Sequence, residues 1–236
     1  MRIIVTRPLL SSRRTAEKLR AHGHEPVLLP LTTPVHNGEA AVAALSGPHA
    51  ALAATSAEAI RALPHQEHRD TLLFCVGRAT AEAARMAGFS RIVTAQGTGS
   101  DLARRILAHF HETGWPEHPL LYLAGSPRSP DLERALAAAN LPLAIAECYR
   151  MQPVEHDPAL LRTLLVETPA DAVLLYSREN ARRFVSLPVF RETLAALSAA
   201  RFLCLSRNIA EALPEALANR AEIAASPDED ALLKLL

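Results

Sequence analysis

The stretch that decides the fold is LLYLAGSPRSPDLERALAAAN, residues 120–140. It begins with a continuous apolar run, turns at Gly, Ser and Pro, and continues as a helix-like segment. An apolar run without polar interruptions is typical of a parallel strand that is buried on both faces of its sheet. We therefore predict a strand with its loop over residues 120–128 and a helix over residues 130–139.

The same strand–loop–helix pattern occurs five more times along the chain. The other strands with their loops are predicted at 3–8, 51–56, 72–78, 172–179 and 202–208, followed by helices at 12–22, 57–64, 79–87, 179–187 and 208–218. Shorter strands are predicted at 26–30, 91–94, 143–149 and 221–224. Strands that alternate with helices indicate βαβ units, so the predicted class is α/β with parallel sheets.

Two proline-containing segments interrupt this pattern: LPLTTPVHNG (29–38) and ECYRMQPVEHDP (147–158). Both are predicted to be extended connectors, because proline disfavours helix at the preceding residue. The chain before the first connector has too few elements for its own core and must pack on the last part. We predict two small α/β domains joined by a two-stranded antiparallel connector: a discontinuous domain 1 of residues 1–36 and 152–236, and an inserted domain 2 of residues 38–149.

Charge and composition limit the classes of partner. The 236 residues include 25 basic and 25 acidic side chains, and this zero net charge argues against nucleic acid or a membrane surface as partner. Lys18 and Lys234 are the only lysines, so the other basic residues are arginine, which binds carboxylate or phosphate with two parallel hydrogen bonds. Genomic bias would also explain this excess. With no secretory signal and no long apolar stretch, we expect a cytoplasmic protein and, most simply, a monomer.

The sequence contains none of the common metal or nucleotide motifs. Cys75, Cys148 and Cys204 form no CxxC pair, and Cys75 and Cys204 lie in strand-like runs where they are expected to pack in a core. The ten histidines form no HExxH pattern, so no metal is predicted. Walker, GxGxxG and GxSxG sequences are also missing, which disfavours nucleotide sites and a hydrolase nucleophile.

Candidate binding residues follow the ends of the predicted strands. In open α/β sheets ligands bind beyond the carboxyl ends of the strands, and five of the six main loops carry an arginine there. The candidates are Arg7, Ser56, Arg78, Gly125, Ser126, Arg128, Ser177, Arg178, Ser206 and Arg207. Helix N-termini, arginines and hydroxyls together predict a ligand with several negative groups, bound between the two lobes. In the alternative interpretation, the hydroxyls only cap helices and the arginines are solvated surface.

Several segments, in order along almost the whole chain, resemble the uroporphyrinogen-III synthase family. They are VTRP (5–8), TSAEAIRAL (55–63), VGRATAEAARMAGF (76–89), LYLAGSPRSPDLERAL (121–136) with ECYRMQP (147–153), LLYSRENARRF (174–184) and LCLSRNIAEAL (203–213). The segment VGRATAEAARMAGF is the most specific match. One departure is Ile209, which stands where the family commonly has threonine in a Gly-x-x-Thr-Ala run; another is Asn140, where many members have a glycine, and we expect a left-handed helix end there.

The resemblance implies a two-domain α/β fold and the cyclisation of linear hydroxymethylbilane to uroporphyrinogen III. That reaction inverts the last pyrrole, releases water, and uses no cofactor and no metal. The substrate carries eight carboxylates, which would account for arginines at the strand ends. Tyr149 matches the connector tyrosine of the family and is the expected catalytic donor, although it could equally be a packing residue of its strand.

Two other functions remain open from the sequence. The first is a non-catalytic two-lobed binding or sensor module for an anionic metabolite. The second is an enzyme that acts on phosphorylated sugars or nucleotides, because the same loops would bind phosphate.

Overall fold

The structure, a computed structural model, describes residues 1–64 and 69–236 of the chain, without the side chain of Arg191. The chain forms two units, one of residues 1–33 with 152–236 and one of residues 34–151. Each unit contains a sheet with helices packed against it. The predicted fold class, two α/β domains of which the first is discontinuous, is confirmed.

The elements of the described residues are as follows. The strands are β1 (Arg2–Val5), β2 (Glu25–Leu28), β3 (Thr32–His36), β4 (Ala51–Ala54), β5 (Leu73–Cys75), β6 (Ile92–Thr94), β7 (Leu120–Ser126), β8 (Leu143–Pro153), β9 (Ala172–Leu175), β10 (Arg201–Cys204) and β11 (Ala221–Ile223). The α-helices are α1 (Leu9–Ala21), α2 (Gly38–Leu45), α3 (Ala57–Arg61), α4 (Arg78–Met86), α5 (Gly99–Thr113), α6 (Asp131–Ala138), α7 (Pro158–Arg162), α8 (Arg178–Val185), α9 (Phe190–Ala196), α10 (Arg207–Ala210), α11 (Glu215–Ala218) and α12 (Glu229–Leu233). A π-helical turn, Thr163–Glu167, extends α7.

The sheet of the discontinuous unit has the strand order β11-β10-β9-β1-β2, and each neighbouring pair is parallel. Its central strand β1 is buried on both faces: Ile3 and Val5 pack in one apolar layer with Leu19 of α1. Ile4 packs in the opposite layer with Phe184 of α8. Burial on both faces is the reason that this strand is apolar at consecutive positions.

The sheet of the inserted unit has the order β3-β8-β7-β4-β5-β6, and β4 is parallel to both β5 and β7. Successive residues of β7 enter different layers: Tyr122 packs with Leu102 of α5, and Leu121 packs with Ala59 of α3. The pairing of β7 with β8 shifts register between Ala124 and Gly125.

The two connectors are extended, as predicted. The first contains β3 and the second continues β8, and the two strands are neighbours in the sheet of the inserted unit. The backbone N–H of Asn37 donates to the carbonyl of Cys148 at 2.7 Å. The boundaries of the units fall inside these two strands.

Three helix boundaries were predicted wrongly. The single helix expected at 208–218 is divided into α10 and α11, because Pro214 lacks an N–H and begins a new helix. The segment SDLARRIL (100–107) predicts Ser100 as a helix N-cap, but the N-cap of α5 is Thr98, whose hydroxyl accepts from the N–H of Asp101 at 3.1 Å. Helix α1 begins at Leu9, directly after Pro8, rather than at residue 12.

Two local predictions are confirmed. Asn140 has a φ of 56°, so it forms the left-handed end of α6 that many proteins give to glycine. Cys75 and Cys204 are fully buried, and burial raises the pKa of each thiol to about 12.

In the described ranges, no helix is both long enough and apolar enough to cross a membrane.

Candidate functional site

Tyr149 lies on β8 of the inserted unit and is buried against the end of β7. Its residue exposure is 8%, and it pairs in register with Gly125. A Cβ added to Gly125 would overlap the Cε1, Cζ and Oη atoms of the Tyr149 ring. Gly125, a predicted binding residue, therefore has a steric role: it leaves the space that the phenol ring occupies.

Ser56 brings the start of α3 to the same phenol. Its hydroxyl accepts from the backbone N–H of Glu58 at 3.1 Å, which makes it the N-cap of the helix. The Ser56 side chain also lies within interaction distance of the Tyr149 phenol and lowers the pKa of that phenol. Three predicted residues, Ser56, Gly125 and Tyr149, thus meet at the carboxyl edge of this sheet.

A second phenol lies in the same unit. Tyr122 on β7 is almost fully buried, and its hydroxyl is 2.7 Å from the hydroxyl of Thr55. Burial raises the pKa of both Tyr149 and Tyr122, and the hydrogen bonds from Ser56 and Thr55 act in the opposite direction. Both phenols are therefore neutral and able to donate a proton near neutral pH.

Sequence reasoning missed a cluster of three charged or titratable residues in the inserted unit, formed by Glu58, His36 and Arg61. Glu58 has a side chain that is 10% exposed; its carboxylate is 3.0 Å from His36 Nε2 and also accepts from Arg61. In the sequence, Glu58 looks like an ordinary acidic residue in the first turn of a helix, where a negative charge stabilises the positive end of the helix dipole. No signal relates it to His36, because the two residues lie on elements that are distant in sequence.

The other predicted binding residues of the inserted unit differ in their exposure and in their contacts within the protein. Arg128 donates to Glu133 at 2.6 Å and to the carbonyl of Gly125 at 3.4 Å, so it holds its own loop. The Arg78 side chain is 62% exposed, with Nε 3.8 Å from Glu82. Ser126 is half-buried at the last position of β7.

In the discontinuous unit, Arg7 follows β1 but is engaged within the protein. Its guanidinium donates to Glu229 at 2.7 Å and stacks over the ring of Tyr176, 4.3 Å from the centroid. Only 24% of the side chain is exposed. A ligand carboxylate at Arg7 would have to compete with Glu229.

Glu229 of α12 is the acceptor for a cluster of donors. Thr15 donates at 2.5 Å and Lys18 at 2.7 Å, in addition to Arg7. Burial alone would raise the pKa of Glu229, but the hydrogen bonds from Lys18 and Thr15 and the charges of Arg7 and Lys18 lower it. No local sequence signal relates these residues, because Glu229 lies 222 residues after Arg7.

The remaining predicted residues of this unit follow β9 and β10. Ser177 caps α8 by accepting from the N–H of Asn180 at 3.0 Å. Arg178 donates to Asn208 at 3.0 Å, which joins this loop to the loop of Ser206 and Arg207. Arg207 is exposed, and within the discontinuous unit the Ser206 side chain makes no cap hydrogen bond to α10.

The departure at Ile209 is explained by packing. The side chain is 5% exposed and belongs to the apolar layer that contains Phe202 and Phe184.

Among residues 1–64 and 69–236, no three His, Cys, Asp or Glu side chains are grouped to hold a metal ion.

Together these features define a two-domain α/β protein with a buried phenol and with arginines and hydroxyls at the carboxyl ends of its strands. The chain belongs to the uroporphyrinogen-III synthase HemD family, whose model matches residues 13–234. The predicted family and enzyme class, a cyclising lyase of tetrapyrrole biosynthesis, are thereby confirmed. No finding favours the binding module or the enzyme of phosphorylated metabolites.

Solved structures of low sequence identity have the same fold. Uroporphyrinogen-III synthetase from Helicobacter pylori is 14% identical over 100% of this chain and 98% of its own, with a TM-score of 0.60. A mutant uroporphyrinogen III synthase from Thermus thermophilus is 19% identical over 92% of this chain and 89% of its own, with a TM-score of 0.57. No sequence among the curated proteins matches the chain.

The replacement Glu229→Gln should lower the free energy of unfolding by about 2 kcal/mol at neutral pH, because Arg7 and Lys18 lose their carboxylate partner. A lowered native pKa means that this contribution is present above the unfolded pKa of about 4.3 and is lost as pH falls through the folded pKa. Urea unfolding of both proteins at several pH values measures the difference. Glu215→Gln, at an exposed position of α11, is the control; a difference that persists at strongly acidic pH would contradict the ion-pair role.

The replacement Gly125→Ala should displace the Tyr149 ring and destabilise the protein by about 1–3 kcal/mol, the usual cost of overpacking. Gly47→Ala is the matched control, because an added Cβ there would only contact the carbonyl of Ala44 at 3.5 Å. Removal of the ring by Tyr149→Ala should abolish most of the cost of Gly125→Ala in a double-mutant cycle. Additive effects in that cycle would refute the steric role.

Proposed function

We propose that Tyr149 is the proton donor for the cyclisation of hydroxymethylbilane to uroporphyrinogen III in this chain. The single observation that carries the proposal is the placement of its phenol, seated on Gly125 and beside the side chain of the helix-capping Ser56. The C–O bond of the hydroxymethyl group breaks, and the oxygen leaves as water with the phenol proton. Loss of the pyrrole N–H proton, which restores the phenol, gives the electrophilic azafulvene.

The environment of Tyr149 suits this donor role. Burial raises the phenol pKa, so the proton remains bound until the leaving oxygen accepts it. The hydrogen bond to Ser56 stabilises the phenolate that forms when the proton has left, because a hydroxyl can donate to that oxygen. The site thereby provides a neutral phenol that donates the proton and a Ser56 hydroxyl that stabilises the resulting phenolate.

We also propose that exposed arginines at the strand ends bind carboxylates of the substrate. Arg178 and Arg207 of the discontinuous unit and Arg78 of the inserted unit are exposed and follow strands, with Ser177, Ser206 and Ser126 as further hydroxyl donors. Arg7 and Arg128 would take part only by releasing Glu229 and Glu133, respectively. This division favours the three exposed arginines as the primary contacts.

Further, we propose that the chain works as a monomer in the cytoplasm on this small polycarboxylate, without a cofactor. All three cysteines are free and buried, which suits a reducing compartment. Light scattering coupled to size-exclusion chromatography would test the monomer, and cell fractionation would test the location.

The replacement Tyr149→Phe should lower kcat by about 10–100-fold, the range of one acid–base contribution, while the substrate still binds. The bilane closes slowly on its own without inversion, so the product should shift from type III towards type I uroporphyrinogen. The assay uses enzymatically generated hydroxymethylbilane with isomer analysis by chromatography.

Tyr176→Phe is the control for this experiment, because it removes a phenol from the other unit, 3.5 Å from Glu229. An unchanged kcat and isomer ratio in Tyr149→Phe would remove Tyr149 from the chemistry. Type I product alone from the unaltered protein would refute synthase activity itself.

Arg178→Ala and Arg207→Ala should each raise KM by about 5–30-fold, which corresponds to a loss of ~1–2 kcal/mol, with little change of kcat. The effect should weaken as salt is added, because exposed charges are screened. Arg220→Ala is the control: that residue is exposed but precedes β11, so it lies at the opposite edge of the same sheet. Wild-type KM in both variants would contradict the assignment.

A further inference from the structure

Glu58 is a mostly buried carboxylate that the proton-donor role of Tyr149 leaves without a task. It belongs to the first turn of α3, and its two oxygens have different partners. Oε2 is 3.0 Å from His36 Nε2 at the end of β3, and Oε1 accepts from Arg61 one turn further along the helix. The carboxylate therefore fixes the start of α3 to the strand that precedes α2.

The same turn carries the partner of the phenol. The backbone N–H of Glu58 donates to Ser56 Oγ at 3.1 Å, and the Ser56 side chain lies beside the Tyr149 phenol. Asn37, the residue after His36, donates its N–H to Cys148, the residue before Tyr149. His36 and Tyr149 are thus held on paired strands, and Glu58 joins the Ser56 turn to that pair.

We propose that Glu58, together with His36, is a positioning residue that fixes the Ser56 hydroxyl against the phenol of Tyr149. This inference rests on the proposed role of Tyr149 as proton donor. Neither Glu58 nor His36 is assigned contact with the substrate. Their effect on the reaction passes through the geometry and the charge at the phenol.

The charge of Glu58 provides a measurable effect, on the pKa of Tyr149, that a role in packing alone would not produce. Besides burial, the groups that act on the pKa of the Tyr149 phenol are the Ser56 hydroxyl, the Glu58 carboxylate and the ionisable side chains of Tyr122 and Cys148. Burial raises the phenol pKa most, and the Glu58 carboxylate raises it further. Replacement of Glu58 by an uncharged residue should therefore lower the pKa of Tyr149.

The first test measures the phenol in the full-length protein without substrate. Ring-labelled tyrosine followed by NMR gives three signals, for Tyr122, Tyr149 and Tyr176, and Tyr149→Phe assigns the one of interest. In Glu58→Gln, which preserves the size of the side chain, the Tyr149 signal should shift and its pKa should fall. Glu39→Gln, an exposed acid in the first turn of α2, should change neither.

The second test measures the reaction. Glu58→Gln and His36→Phe should lower kcat on the order of 10-fold with KM nearly unchanged, because a small displacement at a reacting group has effects of up to ~100-fold. The fraction of type III product should also fall. Glu58→Ala removes the carboxylate completely and should have the larger effect; the Gln variant still decides the question if the Ala variant does not fold.

The outcomes separate this inference from the proposed function. If Tyr149→Phe impairs the reaction and Glu58→Gln leaves kcat, isomer ratio and the Tyr149 signal unchanged, the positioning role is overturned and the donor role stands. If Tyr149→Phe has no effect on the reaction, the donor role fails. A shifted Tyr149 signal in Glu58→Gln would then still show that Glu58 positions the phenol.

Discussion

Strands buried on both faces impose the constraint on which this structure depends. Residues 3–5 of β1 and 120–124 of β7 each enter one of two apolar layers, so these segments have no room for charged side chains. Polar chemistry is possible only where a strand ends and a helix begins. Because the strands of each described sheet core run parallel, these ends lie along one edge, where free backbone N–H groups already favour anions.

Tyr149 of β8, like Tyr122 of β7, is nevertheless a phenol within a strand. It is accommodated because the register of β7 and β8 shifts at Gly125, which has no side chain to oppose the ring. The phenol is consequently shielded from water while its hydroxyl reaches Ser56 at the edge of the sheet. The surrounding backbone thereby holds this phenol in one place, and under the proposed donor role such preorganisation takes the place of a reactive side-chain cluster.

The arginines at the strand ends of this chain fall into two groups, which differ in their contacts and exposure. Arg7 and Arg128 are paired with glutamates of the protein and stabilise the loops that carry them. Arg178 and Arg207 are exposed at the starts of α8 and α10, along one edge of the same sheet. Some arginines of the pattern are therefore paired within the protein and others are exposed, and part of the acidic charge that balances the arginines is used in internal ion pairs.

The sequence by itself determined the fold class, the discontinuous domain and the family, because these depend on local apolar periodicity and on motifs in order along the chain. It also located Cys75, Cys204 and Asn140 correctly, since burial in a strand and a left-handed helix end have local signals. Only the tertiary structure revealed that Gly125 makes room for Tyr149, that Glu58 meets His36, and that Glu229 neutralises Arg7. These contacts join residues distant in sequence through the order and register of the strands, and a pattern of single residues carries no information about which partners that register brings together.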